Sequence, residues 1–425
     1  MKTYQDIDGI EKAYELAVSR YASLGIDAGT AMAATAKIPV SLHCWQGDDV
    51  TGFEGADGLS GGGILATGNY PGRARNADEL REDAELAFSL VPGTKRFNLH
   101  SIYAETEGKK ISRDQLDPGH FTKWIAWAKE RGLGLDFNPS FFSHPMADSG
   151  FTLASADKAV RDFWIRHGKA SRRIASAMGA SLGSPAINNV WIPDGSKDLP
   201  ADRAAPRARL QSALDEVFSE KLPEGTIGDA VESKLVGIGS EAYVVGSHEF
   251  YMGYAIRNGL KLCLDMGHFH PTEAIADKIS ALLGFVPSLL LHISRGVRWD
   301  SDHVALYSDE VRDVCREVNR QNAFARVDIA LDYFDASINR VAAWVIGARG
   351  VQKALLEASL EPVALIREAE NAGRNTQRLA LMEEAKTLPI AAVWDKYCLD
   401  QGTPVGPDWL AKVTEWEGKT QAARR

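Results

Sequence analysis

The chain has 425 residues, is 45% hydrophobic, and carries 48 basic against 57 acidic side chains, for a formal net charge of −9. That length permits two or three domains or one large α/β barrel, and the absence of long like-charge blocks excludes global disorder. The acidic balance is a poor footprint for a nucleic-acid binder, which must neutralise phosphates.

In chain order, one pattern recurs. Short apolar, β-branched runs fall at 39–42, 96–100, 134–137, 186–192, 228–235, 261–265, 288–294 and 327–331. Each ends in a polar cluster, successively HCWQGDD, SIYAET, NPSFFSHP, PDGSKD, GIGSE, GHFHPTE, RGVRWDSDH and DYFDAS. Stretches between them, such as 157–176 and 271–283, space apolar residues at three and four, the period of an amphipathic helix. Strands alternating with helices predict parallel β-α-β units, and eight of them predict a (β/α)8 TIM barrel with its chemistry at the C-terminal strand ends. An open doubly wound sheet would carry a glycine-rich phosphate loop after its first strand. Gly61, Gly62 and Gly63 neither follow a strand nor show that spacing. From Ile338 the chain is alanine- and leucine-rich with no further strand. We therefore expect a barrel domain over 1–345, N-terminal helix included, and a helical extension over 346–425 that packs on the barrel or on a neighbouring subunit.

Four scattered cysteines (Cys44, Cys263, Cys315, Cys398) form no CxxC pair and read as reduced, buried thiols. The N-terminal MKTYQDIDGIEKAYELA lacks the apolar core of a signal peptide. The strongest apolar run, 279–293, contains Pro287 and His292 and is too short to span a bilayer. The expected setting is the cytoplasm, with neither nucleic acid nor membrane as partner.

The densest chemistry lies between Glu232 and Asp332. Glu232 and Lys234 are two apart on a predicted strand, so a carboxylate and an ammonium share one face. For that spacing alone, a structural ion pair is the plainer reading. In LDMGHFHP, Asp265 ends a strand and His268 follows past the flexible Gly267, so both can face one centre; His270, before a proline, is restricted and serves packing as readily. RWDSDH sets Asp300 and Asp302 on one side of an extended segment, and a bare DxD is equally a solvated turn. His292 sits inside the apolar SLLLHIS, where an unpartnered imidazole would cost about 1–3 kcal/mol. Asp332 ends the eighth strand. Five carboxylates and two imidazoles without a thiolate favour Mn²⁺, Mg²⁺ or Co²⁺ over a structural zinc site.

At these residues the chain resembles the L-rhamnose isomerase family of enteric and related bacteria. The resemblance runs through PVSLHCWQGDDVTGFE, ATGNYPGRARN, NLHSIY, LDFNPSFFSHP, WIPDGSKD, LDMGHFHPTE, RWDSDH and LDYFDASINRVAAWVIG, essentially the whole chain, and is weaker over 55–61. It implies a metal-dependent barrel with added helices, assembled as a homotetramer and interconverting L-rhamnose and L-rhamnulose. It implies His268, Asp300 and Asp302 at a catalytic metal, and Glu232, Asp265, His292 and Asp332 at a structural one. Mn²⁺ is the expected cofactor, with Co²⁺, Mg²⁺ or Zn²⁺ as substitutes. His100, Trp191 and Lys234 match sugar-contacting positions.

The expected mechanism is a metal-assisted hydride shift from C2 to C1. Lys234 would add charge near O1, Asp332 or Asp302 would orient a proton-shuttling water, and His100 would assist ring opening or stack on the sugar. A cis-enediol route with a carboxylate base is the rival. Val50, Ile64, Ile102 and Tyr103 are the expected apolar surface for the 6-methyl group. A related aldose as substrate, a barrel hydrolase and a non-catalytic sugar-binding protein are the alternatives. The hydrolase should show a basic groove, and none surrounds these motifs. The binding protein would not need so many converging charges, which are costly to bury unless paired or metal-bound.

Overall fold

The computed structural model describes residues 6–54, 66–235, 242–297 and 300–424, without the side chains of 300–302. Eight parallel strands close into a barrel in chain order. They are β1 (Val40–His43), β2 (Lys95–His100), β3 (Gly134–Asn138), β4 (Ala186–Trp191), β5 (Ile227–Glu232), β6 (Lys261–Asp265), β7 (Leu289–Ile293) and β8 (Val327–Leu331). The predicted runs are these strands to within a few residues. The fifth stops at Glu232, where its last pairing with β6 is made opposite Cys263, so Lys234 lies just beyond the sheet.

Register sets the mouth. Trp191 stands opposite Glu232, and Asp265 opposite His292. One layer deeper, Ile187, Ala230, Cys263, Leu290 and Ala330, one from each of β4 to β8, fill the barrel as a packed plug.

Several of the outer helices, numbered in chain order, start where the sequence supplies caps. Asn76 accepts from the Glu79 amide to open α3 (Ala77–Leu90), and Asp157 accepts from Ala159 to open α5 (Lys158–Leu182). Gly183 then ends α5 in the left-handed conformation at φ +64°. Within α5, a Cβ on Gly179 would lie 1.9 Å from the Thr226 carbonyl, so only glycine lets this helix approach β5.

The expected domain boundary at 345/346 falls inside α10 (Arg340–Ser359), one continuous helix packed against α9 (Asp309–Arg320) and α3. It completes the ring around the barrel. The alanine-rich composition common to this helix and the segment after it hid the join. The added helices are α11 (Val363–Asn371), α12 (Asn375–Ala385), α13 (Ile390–Asp400) and α14 (Trp409–Lys419). A second core joins α13 to α1 (Ile7–Ala22) and α2 (Ala28–Thr35) through Ile10, Tyr21, Met32, Trp394 and Tyr397. All four cysteines are free and buried, and among the described residues no helix is long and apolar enough to cross a membrane.

Candidate metal centre at the barrel mouth

Strand ends bring Glu232, Asp265, His292 and Asp332 together, with one ligand atom from each within 4.8 Å of the others. His292 Nδ1 lies 3.0 Å from Asp332 Oδ2, 3.3 Å from Glu232 Oε2 and 3.7 Å from Asp265 Oδ2. Glu232, Asp265 and His292 are 2%, 3% and 1% exposed and the Asp332 side chain 21%, so three carboxylates crowd one imidazole that is itself out of water. A buried cluster with such an excess of negative charge is costly without a cation.

The neighbours fix individual oxygens. Asn189 donates its amide to Glu232 Oε2, Trp45 Nε1 donates to Asp332 Oδ1 at 3.0 Å, and the Gly267 amide donates to Asp265 Oδ1 at 2.7 Å. Glu232 Oε1, His268 Nδ1 and both nitrogens of His292 nevertheless have no hydrogen-bond partner. His268 Nδ1 comes to 2.9 Å from Glu232 Oε1 without hydrogen-bonding alignment. Close donor atoms converging without bonding one another are what a cation site requires, and the oxygen-rich set suits a hard divalent ion.

The electrostatics agree. Burial alone favours the neutral forms, yet His292 holds Glu232 well below the usual carboxylate range, with His268 adding to the effect. Burial likewise opposes charge on His292, but Cys263, Glu232, Asp265 and Asp332 lift it well above an ordinary histidine. Asp332, also opposed by burial, is lowered by His292.

Around this cluster a pocket of about 620 Å³, including solvent at its mouth, is lined by Trp45, Val50, His100, Trp191, Lys234 and His268 among others. Lys234 Nζ stands 3.4 Å from His268 Nε2 and 5.4 Å from the centre of the Trp191 ring, which stacks over His268. His100 Nδ1 meets Ser140 Oγ at 3.1 Å, and burial pushes its pKa down to about 3. His100 is therefore neutral near pH 7.

Of the sequence candidates, Glu232, Asp265, His268, His292, Asp332, Lys234, His100, Trp191 and Val50 share one pocket. Ile102 and Tyr103 do not line it. Both are completely buried, and Tyr103 instead donates its hydroxyl to Asp48 at 2.7 Å. Asp300 and Asp302 lie on Asp300–His303, a strand paired antiparallel with Arg295–Val297 directly after β7. Their side chains and all of Ile64 lie outside the described residues. His270 is exposed and engages Thr272 at 2.7 Å. Sequence reasoning missed Trp45 and Asn189. The signal for Asn189 was present, because an amide inside the apolar strand AINNVW needs a buried partner.

Fold and site together define a class: a (β/α)8-barrel protein with a buried, carboxylate-rich candidate cation site at its mouth, inside a pocket of small-molecule size. The chain belongs to the L-rhamnose isomerase family, whose model, described as L-rhamnose isomerase (RhaA), matches residues 8–424. It is 57% identical to the L-rhamnose isomerase of Rhodopirellula baltica over 98% of this chain and 97% of that protein. It is 57% identical to that of Yersinia pseudotuberculosis over 98% of this chain and 100% of that protein. It is 58% identical to that of Escherichia coli over 98% of this chain and 99% of that protein.

Proposed function

We propose that the protein interconverts L-rhamnose and L-rhamnulose in the cytoplasm as a homotetramer that uses Mn²⁺. The observation that carries this reading is the buried convergence of Glu232, Asp265, His292 and Asp332 in a sugar-sized pocket of a chain belonging to this family. These four would hold one cation, and His268, Asp300 and Asp302 a second. A bound divalent cation (Mn²⁺, with Co²⁺, Mg²⁺ or Zn²⁺ as substitutes) supplies Lewis-acid polarisation of the sugar's carbonyl and hydroxyl oxygens.

The chain's own groups do the rest. Lys234, beside His268 and Trp191, places positive charge where O1 becomes negative. Neutral His100, its Nδ1 engaged by Ser140, presents Nε2 to the sugar as a hydrogen-bond partner and not as an imidazolium acid. Asp332, oriented by Trp45, or Asp302 steers the water that carries the proton between O1 and O2. Trp45, Trp191 and Phe142 supply apolar walls that limit water around the reacting carbons. The hydrogen on C2 then migrates to C1 with its electron pair, without passing through solvent.

Stripping the protein with EDTA should abolish rhamnose conversion, and Mn²⁺ should restore it. Inactivity toward every aldose after Mn²⁺ loading would instead favour a sugar-binding protein. Turnover in D₂O should leave C1 of the product essentially free of deuterium, whereas substantial incorporation would establish the enediol route.

A further inference from the structure

Cys263 lies two residues before Asp265 on β6, so both side chains face the barrel interior, the thiol one layer deeper. It is completely buried, and its sulfur lies within 4.8 Å of a ligand atom of both Glu232 and His292. Those two residues also belong to the carboxylate set, and Glu232 Oε1 and both His292 nitrogens lack hydrogen-bond partners. The same imidazole and carboxylate are therefore shared between an oxygen-rich group above and a sulfur-bearing group below.

We infer that Cys263, His292 and Glu232 form a second, softer donor set under the candidate centre, one that takes thiophilic divalent cations such as Cd²⁺ or Zn²⁺. The inference rests on the cation-site reading given above and adds the thiol to it. Hard cations prefer the three carboxylates with His292, whereas a borderline or soft cation gains most from a thiolate. Binding releases two protons: the Cys263 S–H bond and an N–H bond of the His292 imidazolium break, sulfur–cation and nitrogen–cation bonds form, both protons leave to solvent, and no electron changes hands. Thiolate and carboxylate then neutralise the dication, which a buried site favours. Because His292 and Glu232 cannot serve both sets fully, a thiophilic cation competes with Mn²⁺.

The test uses the full-length protein, stripped of metal and titrated with CdCl₂ or MnCl₂, with binding followed by equilibrium dialysis. Cd²⁺ should raise a near-ultraviolet thiolate-to-cation absorption that saturates with binding, and Mg²⁺ should not. Cys263→Ser should lose the band and weaken Cd²⁺ binding by at least about tenfold, while Mn²⁺ affinity moves by less than about threefold. If the Cys263→Ser protein does not fold, Cys263→Ala and the cadmium NMR shift of the wild-type complex separate sulfur from oxygen ligation. Cd²⁺ bound without the band, or a band that survives in the variant, would overturn the inference and leave the cation-site reading standing. Failure of wild-type protein to bind either Cd²⁺ or Mn²⁺ would overturn both.

Discussion

Val50 stands at the pocket wall with a backbone φ of +58°, directly after Asp49 at +61°. For a β-branched residue that conformation is strained by roughly 1–3 kcal/mol, and the surroundings must enforce it. They do: Arg340 clamps Asp49 with two hydrogen bonds of 2.6–2.7 Å, and Asp48 accepts from Tyr103 and from the Gly52 amide. Asparagine tolerates this backbone well, so Val50→Asn should keep or raise Tm while placing an amide at this wall. The kcat/KM for L-rhamnose relative to L-mannose should fall by about tenfold; an unchanged ratio would remove Val50 from the methyl pocket. Asp48 carries a pH signature of its own. Burial raises its pKa from 3.8 to about 7, against the pull of Tyr103 and Gly52. The folded state thus holds a proton that the unfolded state has lost between those values. This contribution to stability is full below the unfolded value and disappears as pH rises through the folded one. Asp48→Asn does not titrate, so the variant's stability relative to wild type should rise by on the order of 2–3 kcal/mol between about pH 5 and about pH 8. Parallel denaturant titrations at the two pH values check this, and a constant difference would count against a raised Asp48.

At the scale of the element, strand register decides which groups meet. The pairing of β4 with β5 puts Trp191 opposite Glu232 and leaves Asn189, two residues earlier on the same face, to donate to Glu232 Oε2. Asn189→Ala should leave the barrel folded but weaken Mn²⁺ binding by about 10–100-fold, as removal of an orienting partner typically does. Titrating the Mn²⁺ spin-resonance signal with protein measures that loss, and wild-type affinity would show the amide to be dispensable. Much of this was legible beforehand. Eight apolar runs with polar ends gave the barrel, because the outer faces of its strands meet helices and the inner faces meet one another, so apolar residues run on with little alternation. What sequence could not show is where each strand lets go. Leu235 prolongs the apolar pattern of β5, but pairing with β6 has already ended at Glu232. Ile102 and Tyr103 misled for a related reason. An apolar side chain just past a strand end can face substrate or core, and theirs face the core. Cys263 read only as a reduced, buried thiol, since only the closed barrel sets it beneath Glu232 and His292.

Across the whole molecule, the two ends of the chain brace the barrel that lies between them. α1 and α2 share a core with α13, and the last turn, Gln421–Arg424, returns to α3. There Arg424 Nη1 meets Asp83 Oδ2 at 2.5 Å, with Trp416 Nε1 donating to the other oxygen at 2.6 Å; the paired side chains are 2% and 1% exposed. The helix before that turn, α14, ties down the start of α10, because its Glu417 accepts from Tyr70 at 3.0 Å and from Asn339, the residue that caps α10. Burial raises the Asp83 pKa, and Arg424 works against that rise. Removing the guanidinium alone strands a carboxylate in the interior, so Arg424→Ala should cost about 3–5 kcal/mol near neutral pH. The penalty should shrink on acidification, because Asp83 without its partner takes up a proton more readily than the unfolded chain does. Replacing both members with apolar residues, Asp83→Leu with Arg424→Met, should recover most of the loss, since no charge is then left buried. Urea denaturation of the two variants beside wild type distinguishes the cases. If the double variant is as unstable as Arg424→Ala, the geometry of the tail and not its charge pairing holds it on α3.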